Sequence, residues 1–234
     1  MQVLRQVQVM GAAALAMTAL LGGCGQKDAG ATVSAQDSAV SAPAAVPQAK
    51  GPHIVALGDS LLAGYGITPP EAYPARLEAA LRAQGINATV TNAGVSGDTT
   101  ADGLARIDFT LGGQKPDLVL ISLGGNDMLR GLSPQQARAN LDGILTKLDE
   151  KKIPVVLLGM MAAPNMGAAY AKAFDPIYPD LAKKHHAALV PLFVASINGK
   201  EGMQLPDHIH PTPAGVEAMV KATIGTVKDA LPKG

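Results

Sequence analysis

From residue 53 onward the chain alternates two patterns. Short apolar runs occur at 53–57 (HIVAL), 88–93 (ATVTNA), 117–123 (DLVLISL), 154–160 (PVVLLGM) and 187–193 (AALVPLF). Their length and β-branched content predict five strands, and the near-continuous Val, Ile and Leu in several of them predict burial on both faces. Between the runs the period becomes that of a helix. In EAYPARLEAALRAQG (71–85), Leu77, Ala80 and Leu81 share one side and Gly85 ends the pattern. SPQQARANLDGILTKLDEKK (133–152) opens on Ser133 as N-cap with Pro134 in the first helical position, and closes on Lys151 and Lys152. AKAFDPIYPDLAKKHH (171–186) reads as a helix interrupted by Pro176 and Pro179, and TPAGVEAMVKATIGTVKDAL (212–231) as the last helix. Strand–helix alternation predicts an α/β fold: a five-stranded parallel sheet between two helical layers, wound with right-handed crossovers in flavodoxin-like fashion. Ligands of such sheets bind outside the carboxyl ends of the strands.

Before residue 52 neither pattern holds. Residues 25–50 are rich in Ala, Ser, Pro and Gln with few large apolar side chains. Such a stretch buries too little surface to offset its ordering entropy, so a flexible tether is expected. The first 23 residues carry Arg5, an apolar stretch from Val7 to Leu21, and then small residues. That stretch is shorter than the ~20 apolar residues a membrane-spanning helix needs and fits an export signal. Leu21-Gly22-Gly23-Cys24 resembles the lipobox of bacterial lipoproteins, in which the signal is removed before a cysteine that then carries lipid. An ordinary signal peptide or a buried amino-terminal helix is the alternative. The expected division is a signal at 1–23, a lipidated tether at 24–51 and a folded domain at 52–234. The resemblance implies an anchor at Cys24 on the periplasmic side of the envelope, and Gly25 in place of Asp favours the outer membrane over the inner.

Composition narrows the function. With 47% hydrophobic and 16% charged residues, a sizeable core is available. With a net charge of zero, nothing in the composition suggests a nucleic-acid partner, which usually needs a basic patch. Aromatic residues are 3% with no Trp, which speaks against a stacking platform for bases or sugars. Cys24 is the only cysteine, so an internal disulfide and a cysteine-based zinc site are excluded.

Four blocks at strand ends hold the candidate chemistry. Gly58-Asp59-Ser60 follows the first strand, and Ser60 alone reads as a helix N-cap as readily as a nucleophile. NAGVSGDTT (92–100) follows the second, where Gly94 and Gly97 permit tight turns and close approach of a ligand. SLGGNDMLRG (122–131) follows the third, and Asn126 there is either part of an Asx turn or a donor to a developing oxyanion. LPDHIHPTPAG (205–215) precedes the last helix. Asp207 and His210 are three apart, so the carboxylate can accept from the imidazole Nδ1–H and leave Nε2 free as a base. His208, adjacent to Asp207, is less well placed for that bond. Together the blocks supply hydroxyl, base, carboxylate and donors for acyl transfer through a serine. The G-x-S-x-G signature is absent around Ser60.

In these four blocks, in this order, the chain resembles the SGNH (GDSL) hydrolases over about residues 53–230, most closely the thioesterase I, lysophospholipase L1 and arylesterase branch. The resemblance implies Ser60 as nucleophile, His210 as base, Asp207 as its partner, and an oxyanion hole built from the N–H groups of Ser60 and Gly94 with the Asn126 side chain. It implies no metal and no cofactor. Expected substrates are aryl esters and short- to medium-chain acyl esters, with lysophospholipids and acyl thioesters also in the branch's range. A polysaccharide O-acetyl esterase and a non-catalytic lipid- or partner-binding lipoprotein are the alternatives. A monomer is expected. MLRGLS (128–133) matches a mobile loop of the branch and MAAPNMG (161–167) a substrate-side loop. Met160 and Met161 read as core or pocket wall, His185 and His186 as a structural helix end, and Asp98 and Asp127 as makers of loop hydrogen bonds.

Overall fold

A computed structural model describes residues 51–113 and 115–233. The expected signal at 1–23, Cys24 and the expected tether up to residue 50 lie outside the described residues. The five expected strands are present: β1 His53–Gly58, β2 Thr89–Gly94, β3 Leu118–Ser122, β4 Val155–Leu158 and β5 Ala188–Val190. They form one sheet in the order β2-β1-β3-β4-β5, with every neighbouring pair parallel. Burial follows from that order. β1, β3 and β4 are flanked on both edges, and Ile54, Leu57, Leu118, Leu120, Ile121, Val156 and Leu157 are fully buried. β2 forms one edge and exposes Thr89, Thr91 and Asn92.

Eight α-helices occur among the described residues: α1 Ser60–Ala63, α2 Tyr73–Ala83, α3 Thr100–Leu111, α4 Gly125–Leu129, α5 Pro134–Glu150, α6 Ala168–Phe174, α7 Ile177–Lys184 and α8 Pro213–Ala230. α2 packs on α8 in one layer; α3 packs on α5, with α6 and α7 beside it, in the other. The apolar stripe of α5 (Ala137, Leu141, Ile144, Leu145, Leu148) is buried as its spacing requires, and Ser133 caps it as expected.

Two differences from the sequence reading have physical causes. Pro176 does separate α6 from α7, but Pro179 interrupts nothing. It is the third residue of α7, where its missing N–H would have no partner inside the helix anyway. The second is α3, which the hydrophobic pattern does not reveal. Its buried face is Thr100, Gly103, Ile107 and Leu111, helical in spacing but half small or polar. Gly103 is needed there because the Leu123 side chain lies 2.3 Å from where a Cβ would stand. The readable signal was the capping box, in which Thr99 and Asp102 satisfy each other's backbone N–H groups.

Candidate active site

Ser60 is presented by the turn that ends β1. The Asp59 N–H donates to the Ser122 carbonyl (3.1 Å), which ties the end of β1 to the end of β3. The Asp59 carboxylate caps α1 by accepting the Leu61 N–H (3.1 Å), and its carbonyl accepts those of Leu62 and Ala63 (3.2 and 2.9 Å). The first turn of α1 therefore has one N–H without a partner among the described residues, that of Ser60.

The facing residues come from the loop before α8. An antiparallel bridge between Gln204 and Pro211 pinches it, and the Leu205 N–H donates to the His210 carbonyl (2.7 Å). Inside this loop Asp207 uses its two oxygens differently. Oδ1 accepts the backbone N–H groups of Ile209 (2.9 Å) and His210 (3.0 Å). Oδ2 lies 2.7 Å from His210 Nδ1, and His210 Nε2 lies 2.8 Å from Ser60 Oγ. The two backbone and ring bonds from His210, with the N–H of Ile209, pull the Asp207 carboxyl down to about 2. It is therefore ionised and only accepts, so the Nδ1 of His210 carries the proton. Nε2 is then the acceptor, and the Ser60 hydroxyl donates to it. Tyr65 leans on the imidazole, with ring centroids 4.4 Å apart and planes at 37°. His208 takes a left-handed backbone (φ 60°), and its carbonyl accepts from Gln204.

Opposite Ser60 stand Gly97 and Asn126, which with Asp59, Leu61, Tyr65, Ser96, Gly125, Leu129, Ile209 and His210 line a cleft of about 300 Å³. The Asn126 amide nitrogen donates to the Asp98 carbonyl (3.0 Å). A carbonyl only accepts, so this bond fixes which end of the amide is nitrogen, and it leaves the second N–H for the cleft. Gly97 has φ +90°, a conformation that glycine adopts without strain, and its N–H has no partner among the described residues.

Gly94 is a correction to the sequence reading. β2 continues through it, so it pairs with Gly58 inside the sheet and does not line the cleft. Its N–H is committed to the Asn92 side chain (2.9 Å). A Cβ there would lie 2.3 Å from the Ala63 nitrogen, so this glycine lets α1 approach β2. The structure thus gathers Ser60, His210, Asp207 and Asn126 and puts Gly97 where Gly94 was expected. Leu129 belongs to the 128–133 segment that the sequence matches to a loop of the branch, whereas Tyr65 and Ile209 are wall residues that no motif singles out. Their signal was exposure of large apolar side chains at strand-end loops, which a sequence does not display.

Asp59 is the unusual group of the cleft. It is 2% exposed, and burial, reinforced by the carboxylates of Asp98 and Asp127, raises its carboxyl to about 7 against the pull of the Leu61 N–H. The unfolded chain releases this proton near ~3.9. Between those values the folded state binds the proton more tightly, so stability falls as pH rises from about 4 to about 7 and is level above. An Asn keeps the capping oxygen and cannot ionise. Asp59→Asn should melt close to wild type at pH 4.5 and on the order of 5–10 °C higher at pH 8, by calorimetry at both values. An unchanged difference between the two pH values would contradict an ionisation at Asp59.

Asp127 is buried too, but here the carboxylate is well held. It accepts the Thr100 N–H (2.8 Å) and hydroxyl (2.6 Å), which pins α4 to the start of α3. Met160 is buried against this region and Met161 is exposed. A larger hollow of about 510 Å³ lies at the amino ends of β4 and β5, beside Asp149, His185 and His186. His185 is already bonded to Asp142 (2.6 Å) and Asp149 (2.5 Å), both on α5, so it fastens helices together as a helix-end residue.

A hydroxyl, an imidazole and a carboxylate in series, with unpaired donors across a cleft, are the parts of a hydrolase that works through a serine. The chain belongs to the GDSL-like lipase/acylhydrolase family, whose model matches residues 56–218. It is 38% identical over 184 residues to esterase TesA of Pseudomonas aeruginosa, covering 79% of this chain and 92% of that protein. It is 39% identical over 160 residues to an arylesterase of Vibrio mimicus, covering 68% and 80%. Among solved structures, AlinE4, an SGNH-hydrolase family esterase, superposes with a TM-score of 0.67 at 55% identity, covering 79% of this chain and 99% of that one.

Proposed function

We propose that the protein hydrolyses carboxylic esters through an acyl-enzyme on Ser60. The observation behind this is the unbroken series from Ser60 Oγ through His210 to Asp207, 2.8 and 2.7 Å, beside backbone N–H groups of Ser60 and Gly97 that have no partner among the described residues. His210 Nε2 takes the hydroxyl proton as Ser60 Oγ attacks the acyl carbon. The Ser60 and Gly97 N–H groups and the free Asn126 N–H face the oxygen as its negative charge develops. The proton passes to the departing alkoxide, and the same imidazole then deprotonates the water that releases the acid.

The walls set the substrate class. Leu61, Tyr65, Leu129 and Ile209 make an apolar lining, and about 300 Å³ is the small end of ligand pockets. Aryl esters and short- to medium-chain acyl esters fit it better than long chains. Lipid on Cys24 would hold this activity at the envelope, a reading supported by the Leu21-Gly22-Gly23-Cys24 sequence.

Turnover of p-nitrophenyl acetate, butyrate, octanoate and palmitate tests this reading. Activity should be high through butyrate or octanoate and fall at least about tenfold at palmitate, as the chain outgrows the cleft. Absence of turnover on all four by folded protein would overturn the proposal. A maximum at palmitate would overturn the size argument alone.

A further inference from the structure

One side chain outside the cleft touches both halves of the site. Arg106 lies on α3, half-buried. Its Nε donates to Asp98 Oδ2 (2.6 Å) and its Nη2 to the Gly58 carbonyl (3.0 Å), while Nη1 is steadied by the Thr110 hydroxyl (3.2 Å). Gly58 is the last residue of β1, two before Ser60. Asp98 directly follows Gly97, and its carbonyl receives the Asn126 amide. One rigid guanidinium therefore joins the strand that presents the hydroxyl to the loop that carries one expected oxyanion donor and orients another. A second restraint acts on the same loop, since Arg130 Nη2 donates to the Gly97 carbonyl (2.8 Å).

We propose that Arg106 is a positioning residue: through Asp98 it sets the register of Gly97 and the Asn126 amide against Ser60. This rests on the esterase reading above. The pair is shielded, with side chains 21% and 12% exposed, so water does not easily replace it. Lysine is a poor substitute, because an ammonium lacks the planar fork that meets a carboxylate and a carbonyl at once. The Asp98–Asn126 bond runs from the backbone, so Asp98→Asn keeps it and removes only the charged partner of Arg106.

The test is a double-mutant cycle on an ester that the wild type turns over. Arg106→Met should lower kcat ~10–100-fold with KM within about threefold, and Arg106→Lys and Asp98→Asn should fall between it and wild type. Asn126→Ala should lose ~10²–10³ in kcat, as removal of an oxyanion donor does. In that background Arg106→Met should cost clearly less than it does in wild type, since one of the two donors it positions is gone and only Gly97 remains. Independent, additive losses would overturn the proposal, as would a change confined to KM. An activity-free readout accompanies it. The side-chain amide resonances of Asn126, identified by their loss in Asn126→Ala, should move and exchange faster with water in Arg106→Met. If wild type cleaves no ester and these resonances still respond, the esterase reading fails and the positioning stands. If kcat and the resonances are both unmoved, the positioning fails.

Discussion

Ser60→Ala removes ester turnover and leaves the fold intact. The hydroxyl makes a single hydrogen bond in this structure, to His210, and the cap of α1 is made by Asp59, so the substitution breaks no structural bond. The chemistry loses its bond-forming atom. When nucleophile and base act as a unit, removing either one costs on the order of 10⁶ in kcat, and removing both costs little more. Ser60→Ala, His210→Ala and the double variant should therefore converge on one residual rate with p-nitrophenyl butyrate, each melting within about 3 °C of wild type. A fluorophosphonate probe should label wild type and leave Ser60→Ala unlabelled. Retention of more than about 1% of kcat, with contaminating esterase excluded by active-site titration, would mean the nucleophile lies elsewhere.

The parts of this site differed in how far they could be read from sequence. Asp207 and His210 are three residues apart, so their bond is a local property of one loop and spacing alone suggested it. β1, β3 and β4 are buried on both faces, and that leaves an unbroken apolar run in any sequence. The choice between Gly94 and Gly97 was different. Both stand in one block, and the answer depends on how far β2 continues, which its pairing with Gly58 decides and no local pattern displays. α3 was hidden because its inner face uses Thr100 and Gly103 where a hydrophobic pattern requires large apolar residues. Arg106 was out of reach for the same kind of reason: it bonds to Gly58, 48 positions away, and only the packing of α3 against the sheet brings them together. The unusual state of Asp59 is also tertiary, since its neighbours in sequence give no hint that it is sealed from water.

Asp207→Asn should cost about 10⁴ in kcat, through the position of one proton. The two oxygens of Asp207 have different duties. Oδ1 receives two backbone N–H groups at 2.9 and 3.0 Å, and Oδ2 receives the imidazole. An asparagine has one oxygen. If its NH₂ faced the backbone, two donors would meet two N–H groups, so the oxygen stays with the backbone and the NH₂ turns to His210. Nδ1 must then accept, the ring proton moves to Nε2, and the base no longer has a lone pair for Ser60. The loop keeps both of its backbone bonds, so melting should change by no more than about 3 °C. Asp207→Ala is the informative companion. It removes the loop bonds, so it should melt lower, but it does not force the wrong tautomer and should be no less active than Asp207→Asn. The pH response separates the two explanations further. The carboxyl of Asp207 is held down to about 2, so it stays ionised across any working pH and cannot produce an acid limb above about 4. Its contribution to stability is present above the unfolded value near ~3.9 and is lost progressively as pH falls from there through about 2. Asp207→Asn should therefore lower activity across the whole working pH range, because its defect is a misplaced proton and not an excess one. Full recovery of Asp207→Asn at high pH would show that the tautomer argument is wrong.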